Sequence, residues 1–298
     1  MPAEAAGERL DRWVATVPGV GSRAEAERLV REGRVLVDGR PRPKSHRLEG
    51  GERVGVELIG DRGPALVPEP MDLRVAYEDE HLLVVDKPAG LVVHPSAGHA
   101  SGTLVHGLLA RGIEGGDEPE RPGIVHRLDQ DTSGLLVVAR SREAHRRLAR
   151  LIRTRELERE YLALVCGRPR SWRGTIEAPI GRDRQDATRV SLDTTVPREA
   201  TTHFEVLELL AHHALLRVTL ETGRTHQIRV HLQAIELPVA GDPVYGRPDE
   251  LGLARQFLHA RRVAFPHPFT GVPVEVESSL PDDLEAALAR ARGEAGSA

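Results

Sequence analysis

The sequence predicts an α+β protein: a large domain on a mostly antiparallel mixed sheet, preceded by a small unit of two helices and a β-hairpin. Three observations predict it. From Met71 onward, strand-like runs succeed one another with few crossover helices between them. Residues 8–59 carry a helical and then an alternating periodicity of their own. Between the two lies "IGDRGPALVPEP", residues 59–70, with two Gly, three Pro and no periodicity. The expected organisation is therefore a unit over 8–59, a linker over 60–70, a main domain over 71–292 and a disordered tail over 293–298.

In chain order, "ERLDRWVATV" spaces Leu10, Trp13, Val14 and Val17 as one helix face. "SRAEAERLVREG" opens on a capping-box pattern, Ser22 with Glu25, and stops at Gly33. "RVLVDGRPR" reads as a strand turned at Asp38-Gly39, and "ERVGVEL" alternates Val54, Val56 and Leu58 as a half-buried strand. Past the linker, "LLVVDKPAG", "GLLVVAR", "EYLALVCG", "THFEVLELL", "HALLRVTLE", "HQIRVHLQ" and "RRVAFPHP" all read as strands. "SREAHRRLARLIRTRE" is the clearest helix, with Leu148, Leu151 and Ile152 on one side and arginines around the rest. "PDDLEAALARARG" predicts a terminal helix capped by Asp282 or Asp283.

Composition narrows the function class. Apolar residues make up 40% of the 298, yet aromatics only 3%, so the cores must be aliphatic. No apolar run approaches the roughly 18–20 residues of a membrane span, and "MPAEAAGERLDRW" lacks the apolar segment of a signal peptide. The single Cys166 excludes an internal disulfide framework and fits a reducing cytoplasm. The net charge of −4 argues weakly against nucleic acid, but averages hide patches. Between Arg140 and Glu160 stand eight Arg against four Glu, and Arg23, Arg28, Arg31, Arg34, Arg40, Arg42 and Lys44 share one neighbourhood. A solvated charged face is the plain alternative for such clusters. Only Lys44 and Lys87 are lysines.

The stretch that asks for a chemical explanation is "GIVHRLDQDTSG", residues 123–134, which crowds His126, Arg127, Asp129 and Asp131 beside the apolar run "LLVVAR". Generic chemistries fail in turn. No G-x-S-x-G offers a hydrolase nucleophile. Asp129 and Asp131 share one turn, whereas a glycosidase separates its carboxyls. His226 and His231 fall on opposite faces of a strand, which suits no metal, and neither a P-loop nor a dinucleotide fingerprint is present. Taken alone, the turn would read as structural ion pairing.

It does not stand alone. "VVDKPAGLVVHPS" precedes it, and "RELEREYLALVCG", "ETGRTHQIRVHL", "ELPVAGDPVYG" and "QFLHARRVAFPHP" follow. In this order the segments resemble the RluA family of pseudouridine synthases, and with "LVVHPSAGHASGTLVHGLL" they are more similar to its RluD-like branch, which modifies large-subunit ribosomal RNA. "SRAEAERLVREGRVLVDG" resembles the RNA-binding module named after ribosomal protein S4. The likeness covers essentially residues 8–290.

The resemblance implies the pseudouridine synthase fold with a central cleft, and an isomerisation without cofactor or metal. The bond from uracil N1 to ribose C1′ breaks, the base turns, and its C5 joins the same carbon. Asp129 takes the place of the essential carboxylate, attacking C1′ or C6, or assisting loss of the 2′ proton on the way to a glycal. Arg229 matches its basic partner, and Tyr161 the tyrosine that stacks on the base and aids deprotonation of C5. Leu258 matches an apolar residue packed on the base, and Arg127 the arginine that fills the stack the base has left. His126 is grouped with these substrate-facing residues and, with Asp131, as a brace of the turn; Thr132, Ser133 and Gly134 fix its backbone. Arg23, Arg28, Arg31, Arg34, Arg146 and Arg150 are the expected RNA contacts. The expected partner is ribosomal RNA, met by a monomer in the cytoplasm without a membrane. Two rivals are a non-catalytic RNA-binding assembly factor and a hydrolase that releases free uracil.

Overall fold

The helix and strand signals of the first 57 residues resolve into two helices and three short strands. In this computed structural model the structure describes residues 6–20, 22–57, 66–95, 98–113, 116, 121–186 and 188–293. Residues 60–65 of the expected linker and 294–298 of the expected tail lie outside the described residues. Helix α1 (Leu10–Val14) is followed by α2 (Arg23–Arg31), whose first turn is capped by Ser22 Oγ accepting from Glu25 N at 3.2 Å. The Glu25 carboxylate pairs with Arg28. Strands β1 (Val35–Val37), β2 (Arg40–Pro41) and β3 (Val54–Val56) form an antiparallel sheet in the order β2-β1-β3. Asp38 and Gly39 both take positive φ, 48° and 75°, the turn geometry that matches strand twist in a tight hairpin. Leu10, Val14, Leu29, Val35, Val37 and Leu48 close this unit's core. Beside it Asp11, fully buried, accepts from Arg9 Nε and Arg23 Nη2, each at 2.9 Å.

The chain divides into two compact units with the break after Leu66. The second holds β4 (Val75–Glu78), β5 (Leu82–Lys87), α3 (Leu104–Ala110), β6 (Ser133–Ala139), α4 (Arg142–Arg153), β7 (Glu158–Cys166) and β8 (Arg173–Glu177). It continues with β9 (Gly181–Arg182), β10 (Val190–Ser191), β11 (Thr201–Leu209), β12 (His213–Leu220), α5 (Gln227–Ala234), β13 (Leu258–Pro266), β14 (Pro273–Glu277) and α6 (Asp282–Arg292). The main sheet runs β4-β5-β6-β13-β7-β12-β11-β8, with β14 on β13; every pairing is antiparallel except β6 with β13. The α+β class with a mostly antiparallel mixed sheet is thus present.

Period two explains how the sheet builds two cores. On β6, Leu136 and Val138 enter one cluster with α3, α5 and α6, while Leu135, Val137 and Ala139 enter the other, which Ala144, Leu148 and Leu151 of α4 cover. The elements the sequence did not announce include the edge strands β4 and β8 and the partner strand β14. Each alternates buried or half-buried with exposed positions, so each carries only half an apolar signal.

Two expectations are corrected. "HQIRVHLQ" is a helix, α5, not a strand. Its alternating Ile228, Val230 and Leu232 mimic period two, but every residue from Gln227 to Leu232 is buried, and burial all round erases the pattern that separates helix from strand. The polar members are satisfied by tertiary contacts instead: Gln227 donates to Thr201 O and Thr202 Oγ1, each at 3.0 Å. At α6, neither Asp282 nor Asp283 is the cap; Pro281 holds that position without a side-chain bond. Asp283 lies in the first turn and is claimed by Arg255 at 2.7 and 2.9 Å.

Candidate active site

The turn 126–132 leads straight into β6, and its backbone is pinned on several sides. Thr132 N donates to Asp129 O at 3.1 Å, closing the turn on itself. Arg255, held by Asp283, donates to Asp131 O at 3.0 Å. Gln256 donates to Thr132 Oγ1 at 3.2 Å, and Ser133 Oγ meets His259 Nδ1 at 3.0 Å. Gly134 sits at φ 108°, and a Cβ there would collide with the Ala260 backbone across the parallel pair β6–β13, so only glycine fits. Of Asp131 it is the carbonyl that braces the turn.

Lys87 completes the clamp. Its fully buried ammonium donates to the carbonyls of Pro88, Leu91 and Gln130 at 2.8, 3.0 and 2.8 Å, tying the loop after β5 to the residue following Asp129. Burial pulls its pKa down to about 7, against the charges of Asp131 and Asp129. A compact ammonium with three divergent donors suits three carbonyls as a planar fork does not. A lysine in a chain whose cations are almost all arginines was the available signal.

Asp129 meets Arg229 of α5: Nη1 donates to Asp129 Oδ2 at 3.3 Å. The guanidinium is itself gripped by Asp242, through Nε at 2.6 Å and Nη2 at 2.8 Å. Asp242 also accepts from Val244 N and Tyr245 N at 2.9 and 3.0 Å. Burial opposes the charge on Arg229, but Asp242 and then Asp129 outweigh it and raise its pKa. Burial likewise opposes ionisation of Asp242, and the Arg229 bonds reverse the balance and lower its pKa. The ring of Tyr245 lies 5.0 Å from the guanidinium carbon, and its hydroxyl meets His226 Nδ1 at 3.0 Å. Asp242 and Tyr245, inside "GDPVYG", escaped the sequence reading because nothing local ties them to Arg229.

One cleft is lined by Asp129, Arg229, Tyr161, Leu258, Arg127 and His126 together. The three expected catalytic residues and the three expected substrate-facing ones therefore converge. Tyr161 and Leu258 are buried on the neighbouring strands β7 and β13, whereas Arg127 is exposed. Burial, and secondarily Asp129, raises the Tyr161 pKa against the pull of Arg159, so the phenol keeps its proton at neutral pH. His126 Nε2 accepts the Val137 N–H at 3.0 Å, and burial pushes its pKa down to about 3, so the ring is neutral with its proton on Nδ1.

The expected RNA-binding arginines are not part of this cleft. Arg23 is engaged by Asp11, Arg28 by Glu25, Arg34 by Glu32 at 3.3 Å and Arg146 by Glu143 at 2.8 Å. Arg31 and Arg150 are exposed on α2 and α4. Among the described residues one group could hold a metal ion, Cys166, His213 and Glu250. Its thiol is pushed up to about 11 by burial, and His213 already bonds Glu250 at 3.0 Å.

The family model for RNA pseudouridylate synthase matches residues 81–234, and that for the S4 domain residues 8–54. The chain is 43% identical to an uncharacterized RNA pseudouridine synthase, YlyB, of Bacillus subtilis, over 94% of this chain and 93% of that protein. It is 42% identical to ribosomal large subunit pseudouridine synthase D of Pseudomonas aeruginosa, over 95% and 92%. Among solved structures, human RNA pseudouridylate synthase domain containing 1 superposes with a TM-score of 0.57 at 30% identity, covering 72% of this chain and 86% of that one. No described helix is long and apolar enough to cross a membrane.

Proposed function

The chain belongs to the RNA pseudouridylate synthase family, and from that premise we propose that it converts particular uridines of large-subunit ribosomal RNA to pseudouridine. The observation that carries the site assignment is the state of Asp129. Its Oδ2 is held by Arg229, and its Oδ1 has no hydrogen bond among the described residues. A carboxylate paired with a buried arginine, with one oxygen unengaged among the described residues in a cleft beside Tyr161 and Leu258, suits attack on the sugar or base or removal of a sugar proton.

In this reading the N1–C1′ bond breaks, the base turns, C5 bonds to C1′, N1 gains a proton and C5 loses one. No atoms are gained or lost overall, so no co-substrate is needed. Leu258 and the Tyr161 ring pack on the extruded base, and the neutral phenol relays the C5 proton. Arg127, exposed at the mouth, stacks where the base has left. The S4 domain, with Arg31 and its neighbours on α2, adds affinity for the RNA, as do Arg146 and Arg150 of α4. The protein acts as a monomer in the cytoplasm.

The test is a map of pseudouridines in large-subunit ribosomal RNA from cells with the protein, without it, and with Asp129→Asn. The reading expects sites that vanish on deletion and return with wild type but not with the variant. A map unchanged by deletion would overturn it.

A further inference from the structure

Arg159 stands in the wall of the cleft with no carboxylate paired to it among the described residues. It precedes Tyr161 by two residues on β7, so both side chains project from the same face, and both line the cleft. Arg159 is only 5% exposed. Its one hydrogen bond among the described residues is long, Nη2 to Leu220 O at 3.4 Å, and its Nε is buried without a partner. The adjacent carboxylates are committed elsewhere: Glu158 to Arg262 at 3.4 Å, and Glu160 to Arg217 and Arg261 at 3.3 and 3.6 Å. A buried cation without a counter-charge is unfavourable unless a ligand completes it.

A further observation points to that ligand. His126, on the same cleft, carries its proton on Nδ1, and that atom too is buried without a partner among the described residues. Two unsatisfied donors therefore await an acceptor oxygen, in a protein that otherwise pairs most of its buried polar groups.

We propose that Arg159 receives the carbonyl oxygens of the uracil and holds the negative charge the base takes up when its bond to the sugar breaks. This rests on the pseudouridine reading above. RNA phosphates stay at the mouth, where Arg127 and Arg224 are exposed. Only an extruded base reaches a side chain as enclosed as Arg159. When the N1–C1′ bond breaks with its electron pair leaving on the base, the charge spreads over N1 and both carbonyl oxygens. A planar fork of donors engages either oxygen as the base turns, and donors aimed at developing charge act mainly on the rate.

Arg159→Met keeps the apolar stem and removes the charge. Its single-turnover rate on saturating RNA should fall about 100-fold or more, while RNA affinity stays within about threefold of wild type because the cations that meet phosphate are untouched. Its melting temperature should rise, because a charge with no partner has been removed from the interior. Arg159→Lys should react at an intermediate rate. A Met variant as fast as wild type, or one that binds RNA weakly but reacts normally once bound, would overturn the assignment. So would a lower melting temperature, the mark of a structural arginine. Wild type is run alongside: if it forms no pseudouridine, the family-based reading fails, whereas an active wild type with an equally active Met variant defeats the Arg159 inference alone.

Discussion

Each unit of this chain builds a three-member ion group around one buried charge, and the two are mirror images. In the first, one carboxylate, Asp11, lies between two arginines, Arg9 and Arg23; in the second, one guanidinium, Arg229, lies between two carboxylates, Asp242 and Asp129. Asp11 is wholly enclosed while its arginines reach solvent, so water shares the outer charges. The Arg9 bond, with Arg23 assisting against burial, holds the Asp11 carboxyl far below its usual range. Nothing there is left to react. Around Arg229 the arrangement is lopsided: among the described residues Asp242 is closed by four bonds, while the Asp129 carboxylate makes one and stays partly open to the cleft. The same ion chemistry serves as a brace when every oxygen is satisfied and as a reactive centre when one is not.

The comparison breaks most sharply at the two aspartates. Asp129→Asn should lower tritium release from C5-labelled uridine RNA by at least about a thousandfold, with melting unchanged within a few degrees. Asp11→Asn should do the reverse, lowering the melting temperature while leaving turnover of a short RNA substrate near wild type. If Asp129→Asn retained more than about one per cent of the rate, the open carboxylate would lose its catalytic place.

Arg229 should come next. Arg229→Ala leaves Asp242 buried and unpaired and Asp129 without its cation, so it should be nearly inactive and less stable. Arg229→Lys keeps a charge but cannot grip both carboxylates, and should be partly active. Equal, near-wild-type rates for the two variants in single-turnover assays would show that Arg229 orients nothing.

Removing the first unit altogether sharpens the contrast further. The structural break sets the deletion at residues 1–66 rather than at residue 70, the expected end of the linker, because Glu69 already bonds His106 O and Gly102 N of the second unit. The truncated protein should bind RNA more weakly, with the slope of log affinity against log salt reduced by about 0.7–0.9 for every phosphate it no longer neutralises. Its rate once bound should change little. An unchanged slope with a collapsed bound-state rate would put the first unit inside the active-site architecture.

The smallest effect expected is a pH slope. The folded His126 has a pKa of about 3 against an ordinary 6.5. Below about 6.5 the unfolded chain takes up a proton that the folded chain refuses, so this residue makes stability fall as pH drops from 6.5 toward 3, by at most about 1.4 kcal/mol per pH unit. His126→Gln keeps an acceptor for the Val137 N–H and should flatten the denaturation-midpoint profile over that window. An identical slope in both proteins would mean that His126 protonates freely in the folded state.

Much of this was readable in one dimension. The turn "HRLDQDTSG", the Asp38-Gly39 hairpin, the Ser22 cap and the strand "GLLVVA" are local, because a turn's dihedrals and a strand's apolar run depend on neighbours within a few residues. The motif order sufficed to nominate Asp129, Tyr161 and Arg229, which the fold then gathers into one cleft from β6's leading turn, β7 and α5. What the sequence by itself determined was this set of short-range geometries and residue identities. Only the tertiary structure decided that "HQIRVHLQ" is helical, since burial on all sides removes the amphipathic signal. It alone paired Arg229 with Asp242, thirteen residues on, and Lys87 with Gln130, forty-three residues away. It alone left Arg159 without a counter-charge among the described residues. Partners across a sheet are chosen by where the whole chain is packed, and a buried charge is satisfied or stranded by that packing rather than by its neighbours in sequence.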